Sequence, residues 1–346
     1  MKTIKDKNDI QKIGVIMFGL LGDVLVRTPV LKALSEIYTK ASIIGITDSS
    51  MKATLENNPY LDKLILIDKT NKNKFQKNID KFKGISKVNN EKFDLLIDLY
   101  NGGLSRLIVA FSGARYRLGF NNAKHSFLYN ITTDFLPDTT KEVLSINFIA
   151  MSILRPLSNK SFLLKPIFEI LDEDIAFASN YFKNMEIDTS RLYTLNLASG
   201  GEDKIMNQKL SYMMVECIYK EYGYYPMIVS NPSQEYIQTN FINDYLIESG
   251  IPFIQLDTVS LNKIAALMKM TQFIITPDTG LMHIAMAMDM YIYTVFTYSN
   301  PETVESKGEK FICAYEGFEK GRRYQAQNIS FHQLEEKIHH LFEKLN

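Results

Sequence analysis

The strongest constraint on the fold is a repeated pattern in which short, nearly unbroken apolar runs are each followed by a stretch with helical spacing. A first series consists of "IGVIMF" (13–18), "SIIGI" (42–46), "LILI" (64–67) and "DLLIDL" (94–99). A second comprises "YTLNLA" (193–198), "YPMIVS" (225–230), "PFIQL" (252–256), "QFIIT" (272–276) and "YIYTVF" (291–296). Amphipathic segments lie between them, among them "PVLKALSEIYTK" (29–40), "KLSYMMVECIYKEY" (209–222) and "SLNKIAALMKM" (260–270). A strand that is apolar along its whole length needs cover on both faces, and alternating helices supply it around a parallel sheet. The pattern predicts an α/β fold with parallel sheets.

A chain of 346 residues is too long for one average domain. The alternation breaks at "LRPLSNKSFLLKPIFEILDEDI" (154–175), which contains two prolines and no strand–helix unit. This places a junction near residues 160–172, with a first domain over 1–165 and a second over 172–325. The last helical segment, "SFHQLEEKIHHLFEKL" (330–345), is expected to pack back on the first domain.

Lys plus Arg and Asp plus Glu number 39 each, so no global charge draws the chain to nucleic acid or to a membrane, and an anionic partner needs a local patch. Hydrophobic residues make up 46% and charged ones 23%, a globular profile. Cys217 and Cys313 are the only cysteines and show no metal-like spacing, which fits a reducing compartment. The apolar run ending at Gly22 lacks a cleavage site, is too short to span a bilayer, and is followed at once by Asp23 and Arg27. A soluble cytoplasmic protein is the expectation.

Doubly wound folds bind ligands at the carboxyl ends of their strands. Four loops are therefore informative: "GLLGDVLVRTP" (19–29), "YNGG" (100–103), "SGGEDK" (199–204) and "PDTG" (277–280). In "PDTGLMH", Thr279 and Gly280 are placed to open a helix, whose unpaired N–H groups form an anion site, and His283 adds a donor. The competing reading makes Asp278 an ordinary N-cap. "GLLGDVLVRTP" has neither the G-x-G-x-x-G fingerprint nor a P-loop Gly-Lys-Ser/Thr, which disfavours a dehydrogenase. It offers the carboxylate of Asp23 beside glycines, with an N-cap role as the alternative.

Taken together, "FGLLGDVLVRTPVLKAL", "NNPYLDKLILID", "FDLLIDLYNG", "GARYRLGF" and "ITPDTGLMHIAMAM", in this order, resemble the lipopolysaccharide heptosyltransferases, glycosyltransferase family 9. The resemblance runs from about residue 13 to residue 305. It implies the GT-B fold, two Rossmann-like domains facing a cleft, with acceptor held by the first and nucleotide sugar by the second. It further implies an inverting transfer of heptose from ADP-heptose to a lipid A-core acceptor, at the inner face of the inner membrane of a Gram-negative cell; no His/Asp/Cys cluster has metal-ligand spacing, so no metal or other cofactor is expected. By the same resemblance Asp23 is the catalytic base and Lys204, counted from Asn196, the phosphate lysine, with Lys209 the competing assignment. Donor contacts are implied for Gly22, Asn196, Ser199, Gly200, Glu235, Asp278, Thr279, Gly280, Leu281 and His283. The chain departs from the family pattern in Leu197, where proline is usual, in "FTYSNPET" (296–303), and in having no tryptophan.

The residues allow this chemistry. A carboxylate suits the proton of an acceptor hydroxyl, and a helix N-terminus plus a lysine suits the charge growing on a diphosphate. Between Leu99 and Ile131 there is no Asp or Glu, while Arg106, Arg115, Arg117, Lys124 and His125 all fall there. With Asn101 in "YNGG", Arg106, Arg115, Arg117 and Lys124 are the expected acceptor contacts, since arginine pairs bidentately with phosphate or carboxylate. A cationic first domain would also dock on an anionic inner leaflet. The lysine-rich stretch 69–92 reads as a solvated helix with an ordinary buried face. Two other functions compete: a family member using another nucleotide sugar, and a catalytically silent glycan- or nucleotide-binding member.

Overall fold

The computed structural model describes residues 4, 6–68, 73–134, 146–201, 204–230, 232–297, 300–301, 308–315 and 329–345. Residues 69–72 of the lysine-rich stretch, Glu202 and Asp203 of "SGGEDK", and 298, 299, 302 and 303 of "FTYSNPET" lie outside that set. The chain divides into two compact units, Met1–Glu169 and Ile170–Asn346.

In the first unit the order is β1 (Lys12–Ile16), α1 (Leu21–Leu25), α2 (Pro29–Ile37), β2 (Ser42–Asp48), α3 (Lys52–Leu55), β3 (Lys63–Ile67) and α4 (Lys74–Asn90). There follow β4 (Leu95–Asp98), α5 (Gly103–Phe111), β5 (Tyr116–Phe120), β6 (Ile131–Thr133) and α6 (Ile146–Ser152). All strand pairs are parallel, in the order β3-β2-β1-β4-β5-β6. Ile13, Val15 and Ile16 of β1 and Leu95, Leu96 and Ile97 of β4 are fully buried, because these central strands have helices on both faces. Pro29 opens α2 at its first position, where the missing N–H costs nothing, and the helix buries Val30, Leu31, Ala33 and Leu34.

The second unit runs α7 (Asp172–Asn184), β7 (Leu192–Asn196), α8 (Gln208–Tyr222), β8 (Tyr225–Val229), α9 (Glu235–Phe241), β9 (Ile254–Gln255) and α10 (Leu261–Lys269). It continues with β10 (Phe273–Pro277), α11 (Gly280–Ala287), β11 (Tyr291–Val295), β12 (Phe311–Ala314) and α12 (Phe331–Leu345). Its parallel sheet has the order β12-β11-β10-β7-β8-β9. Local chemistry sets the helix ends: Asn207 accepts the Leu210 N–H at the start of α8, and Gly223 closes it with φ +72°.

One expectation is corrected. The last helix places its apolar stripe in the second unit. Leu334, Ile338, Leu341 and Phe342 of α12 are buried in the second unit's core with Tyr193, Phe273 and Tyr293. Phe342 stacks on Tyr222 of α8 at 3.7 Å between centroids, and Tyr293 Oη donates to the Leu334 carbonyl at 3.1 Å. A helix has one such stripe, and full burial of a large apolar side chain is worth about 1.5–3 kcal/mol, so the nearest uncovered sheet face takes it. Among the described residues no helix is long and apolar enough to cross a membrane.

Both strand orders reverse direction at one point, between β1 and β4 in the first unit and between β7 and β10 in the second. Loops leaving the two strands at such a point diverge and open a crevice at their carboxyl ends.

Candidate active site

In the first unit, the crevice is lined by the loops after β1 and β4. Gly19 has φ +139°, and a Cβ there would lie 2.7 Å from the Asp23 Cβ, so only glycine allows the chain to turn this tightly onto Asp23. Asp23 is not an N-cap. It sits in the first turn of α1 and its Oδ2 accepts the N–H of Leu20, the N-cap residue, at 3.1 Å. Among the described residues no hydrogen bond is made to its other oxygen.

One helical turn further, Arg27 Nη1 donates to the Phe18 carbonyl. Burial lowers the Arg27 pKa, opposed by the nearby charges of Asp23 and Asp98 and by Tyr100. Asp98 ends β4 and is 1% exposed. Its Oδ1 accepts the N–H groups of Tyr100 and Asn101, each at 2.9 Å, and its Oδ2 accepts Tyr129 Oη–H at 2.8 Å. Burial first and Asp98 second raise the Tyr129 pKa, which keeps the phenol a donor. These bonds turn the chain at Asn101, which adopts φ +54° and whose carbonyl accepts from Arg106 Nη1 at 3.0 Å. Among the described residues Asn101 Oδ1 is buried without a hydrogen-bond partner.

Asp23, Asn101 and Arg106 thus sit at the carboxyl end of this sheet, and Lys124 is exposed in the turn after β5. Arg115 and Arg117 do not join them. Arg115 precedes β5 at the amino end of the sheet, 3.7 Å from Asp9 and with its guanidinium 5.0 Å from the Tyr116 ring centre. Arg117 is committed to the backbone, donating from Nε to the Leu128 carbonyl at 2.8 Å and from Nη1 to that of Ala114 at 3.0 Å. On that ground the acceptor role expected of both is not carried into this sheet-end cluster. Arg27, Asp98 and Tyr129 were not singled out as site residues, although Arg27 follows Asp23 by one helical turn.

The second unit's crevice is held shut at its base by Asn196, which is 3% exposed. Its Nδ2 donates to Thr276 Oγ1 at 2.9 Å and to Thr279 Oγ1 at 3.2 Å, tying the end of β7 to the end of β10. Thr279, with extended backbone, is the N-cap of α11 and Gly280 its first residue, so the reading of Asp278 as N-cap is also corrected. Asp278 instead accepts from Lys204 Nζ at 2.8 Å, and its other oxygen lies 3.9 Å from His283 Nε2. Lys204 reaches it from a turn closed by its own N–H onto the Gly201 carbonyl. Lys209 is an exposed residue of α8, so the structure brings Lys204 and not Lys209 to the start of α11.

Ser199 is 5% exposed and its N–H donates to Gln234 Oε1 at 3.1 Å, a residue the sequence did not single out. Gly200 and Glu235 are exposed at the same edge, Glu235 as the first residue of α9. Leu281 packs on the core formed with α10 and β8, and Gly22 lies in the first turn of α1 in the other unit. The second unit therefore gathers a helix N-terminus, a lysine, a histidine and polar backbone around one sheet end. That combination suits an anion such as a diphosphate.

A sequence model of glycosyltransferase family 9 (heptosyltransferase) matches residues 82–331, well over half of the chain. The chain belongs to glycosyltransferase family 9. As a family 9 member it is a glycosyltransferase. It is 24% identical over 306 residues to lipopolysaccharide heptosyltransferase 1 of Campylobacter coli, a match covering 82% of this chain and 83% of that one. Its fold resembles the family 9 glycosyltransferase of Veillonella parvula, with TM-score 0.79 and 19% identity over 98% of this chain and 99% of that one. It also resembles ADP-heptose lipopolysaccharide heptosyltransferase II of E. coli, with TM-score 0.76 and 17% identity over 97% of this chain and 100% of that one.

Proposed function

We propose that this family 9 enzyme transfers heptose from ADP-heptose to an inner-core acceptor of lipopolysaccharide or lipooligosaccharide, with inversion. The observation that carries the reading is the convergence of Lys204 and the α11 N-terminus at the switch point of the second unit. As the bond between the sugar carbon and the β-phosphate breaks, its electrons pass to the phosphate oxygen. Lys204 and the N–H groups of Gly280 and Leu281 stabilise that charge, with His283 as a further donor. Asp278 holds the lysine in place until the diphosphate replaces it as partner.

In the first unit Asp23 takes the proton of the attacking hydroxyl, and Asn101, Arg106 and Lys124 contact the acceptor. The Leu20 bond fixes one Asp23 oxygen and leaves the other to the substrate. No metal is assigned to this step, because lysine and helix N-terminus occupy its role at the leaving group. The names of the Campylobacter and E. coli relatives support the donor and the pathway. A working place at the anionic inner leaflet follows from the acceptor's lipid.

The test is donor choice. ADP-heptose is expected to raise the melting temperature and to be consumed with acceptor, while UDP- and GDP-sugars are not. Stabilisation by a different nucleotide sugar would replace the donor, and binding without turnover would make the chain a silent member.

A further inference from the structure

We propose that Cys217, Glu221, Glu335 and His339 form a binding site for a zinc-like divalent cation that clamps the terminal helix α12 to α8. Nothing in the transferase reading uses these side chains. Cys217 and Glu221 lie one turn apart on α8, Glu335 and His339 one turn apart on α12, so each helix presents two ligands on one face. The Cys217 Sγ, a Glu221 oxygen and a Glu335 oxygen all lie within 4.8 Å of one another. Cys217 Sγ is 3.6 Å from Glu221 Oε1, and His339 Nδ1 is 3.7 Å from Glu221 Oε2.

In tetrahedral zinc sites, bond lengths of about 2.0–2.3 Å put neighbouring ligand atoms roughly 3.3–3.6 Å apart; Cys217, Glu221 and Glu335 lie near that spacing, and His339, which faces the other oxygen of Glu221, completes the set by a side-chain rotation. The ligand types narrow the ion. Magnesium and calcium take oxygen ligands, whereas sulfur and imidazole with two carboxylates suit zinc. The site has a buried floor and an open mouth: Cys217 is 8% exposed, while the Glu221 and His339 side chains are 44% and 45% exposed.

Lys220, the lysine next to Glu221, pairs with Glu216 at 2.9 Å instead. Without a cation, the Cys217 thiol donates to Glu221. On binding, the metal–sulfur bond replaces the S–H bond and the proton leaves to solvent. Tyr222 Oη, 2.6 Å from His339 Nδ1, holds the ring at the mouth and is exchanged for the metal. The other half of Tyr222 already stacks on Phe342, so the cation reinforces a helix pair that is in place.

The experiment uses the untagged full chain, stripped with chelator and titrated with Zn²⁺ by calorimetry and with Co²⁺ by absorption. One Zn²⁺ per chain is expected, with a higher melting temperature and a thiolate-to-cobalt charge-transfer band. Cys217→Ser should abolish the band and weaken Zn²⁺ at least about 100-fold, and Glu335→Gln or His339→Gln about 10-fold each, while Cys313→Ser changes neither. Glu335 and His339 lie towards solvent, so those two variants keep the test valid even if Cys217→Ser folds poorly. No stoichiometric binding, or binding that persists unchanged in Cys217→Ser or Glu335→Gln, overturns the site.

Discussion

Replacing Asp23 by Asn separates the base from the turn-former. The amide oxygen of Asn can accept the Leu20 N–H that Asp23 Oδ2 accepts at 3.1 Å, and the side chain occupies the same space beside Gly19. What is lost structurally is the charge on one hydrogen bond at a half-exposed site, a cost of about 1 kcal/mol or less. Arg27 keeps Asp98 as its second countercharge, so its buried guanidinium is not left unopposed. The chemical loss is far larger. An amide cannot take the hydroxyl proton, and a general base contributes about 10²–10⁴-fold, or roughly 2.7–5.4 kcal/mol of barrier. The assay pairs a thermal melt and ADP calorimetry with initial rates of ADP release in the presence of donor and acceptor. Melting and ADP affinity should stay near wild type while kcat falls by about 10²-fold or more. An Asp23→Asn protein that is stable and retains most of its rate would remove Asp23 from catalysis and leave it as part of the α1 turn.

The second unit gives two further expectations. Lys204→Ala should lower kcat by about 10²-fold through loss of leaving-group stabilisation, with Lys209→Ala near wild type, and the reverse pattern in steady-state kinetics would reassign the lysine. Gly280→Val puts a branched side chain at the first position of α11 and should weaken ADP binding by calorimetry in a folded protein; unchanged affinity would detach the diphosphate from this helix. In the first unit, Arg106→Ala should raise the apparent KM for a phosphorylated acceptor, and Arg115→Ala should not. Arg117→Ala should instead lower the melting temperature, since two carbonyl bonds worth about 1–3 kcal/mol together are lost, and an effect confined to acceptor KM would restore Arg117 to the site.

Much of the architecture was readable because it is written in local pattern. The central strands β1, β4, β7 and β10 are buried on both faces, so their apolar runs are unbroken and mark themselves. Strands β6 and β12 escaped because they are edge strands, three and four residues long, with one face less covered. Strand β5 escaped because Arg117 interrupts it, its guanidinium turned back onto backbone carbonyls. Asp23 and the Asp278–Gly280 turn were equally legible, since a glycine-bearing loop between strand and helix is a contiguous signal.

What the sequence left open were relations between residues far apart in the chain. Periodicity states which way a side chain faces across a strand, but not at which end of the sheet a loop emerges beside another. Arg106 and Arg115 therefore look equivalent in the sequence, and only the parallel register places one at the carboxyl end and the other beside Asp9. The choice of Lys204 over Lys209 depends on the path of one turn towards Asp278, 74 residues away. Likewise the two cysteines have no metal-like spacing. The cluster around Cys217 exists only because α12 returns to lie along α8, where burying its single apolar stripe sets Glu335 and His339 against Cys217 and Glu221.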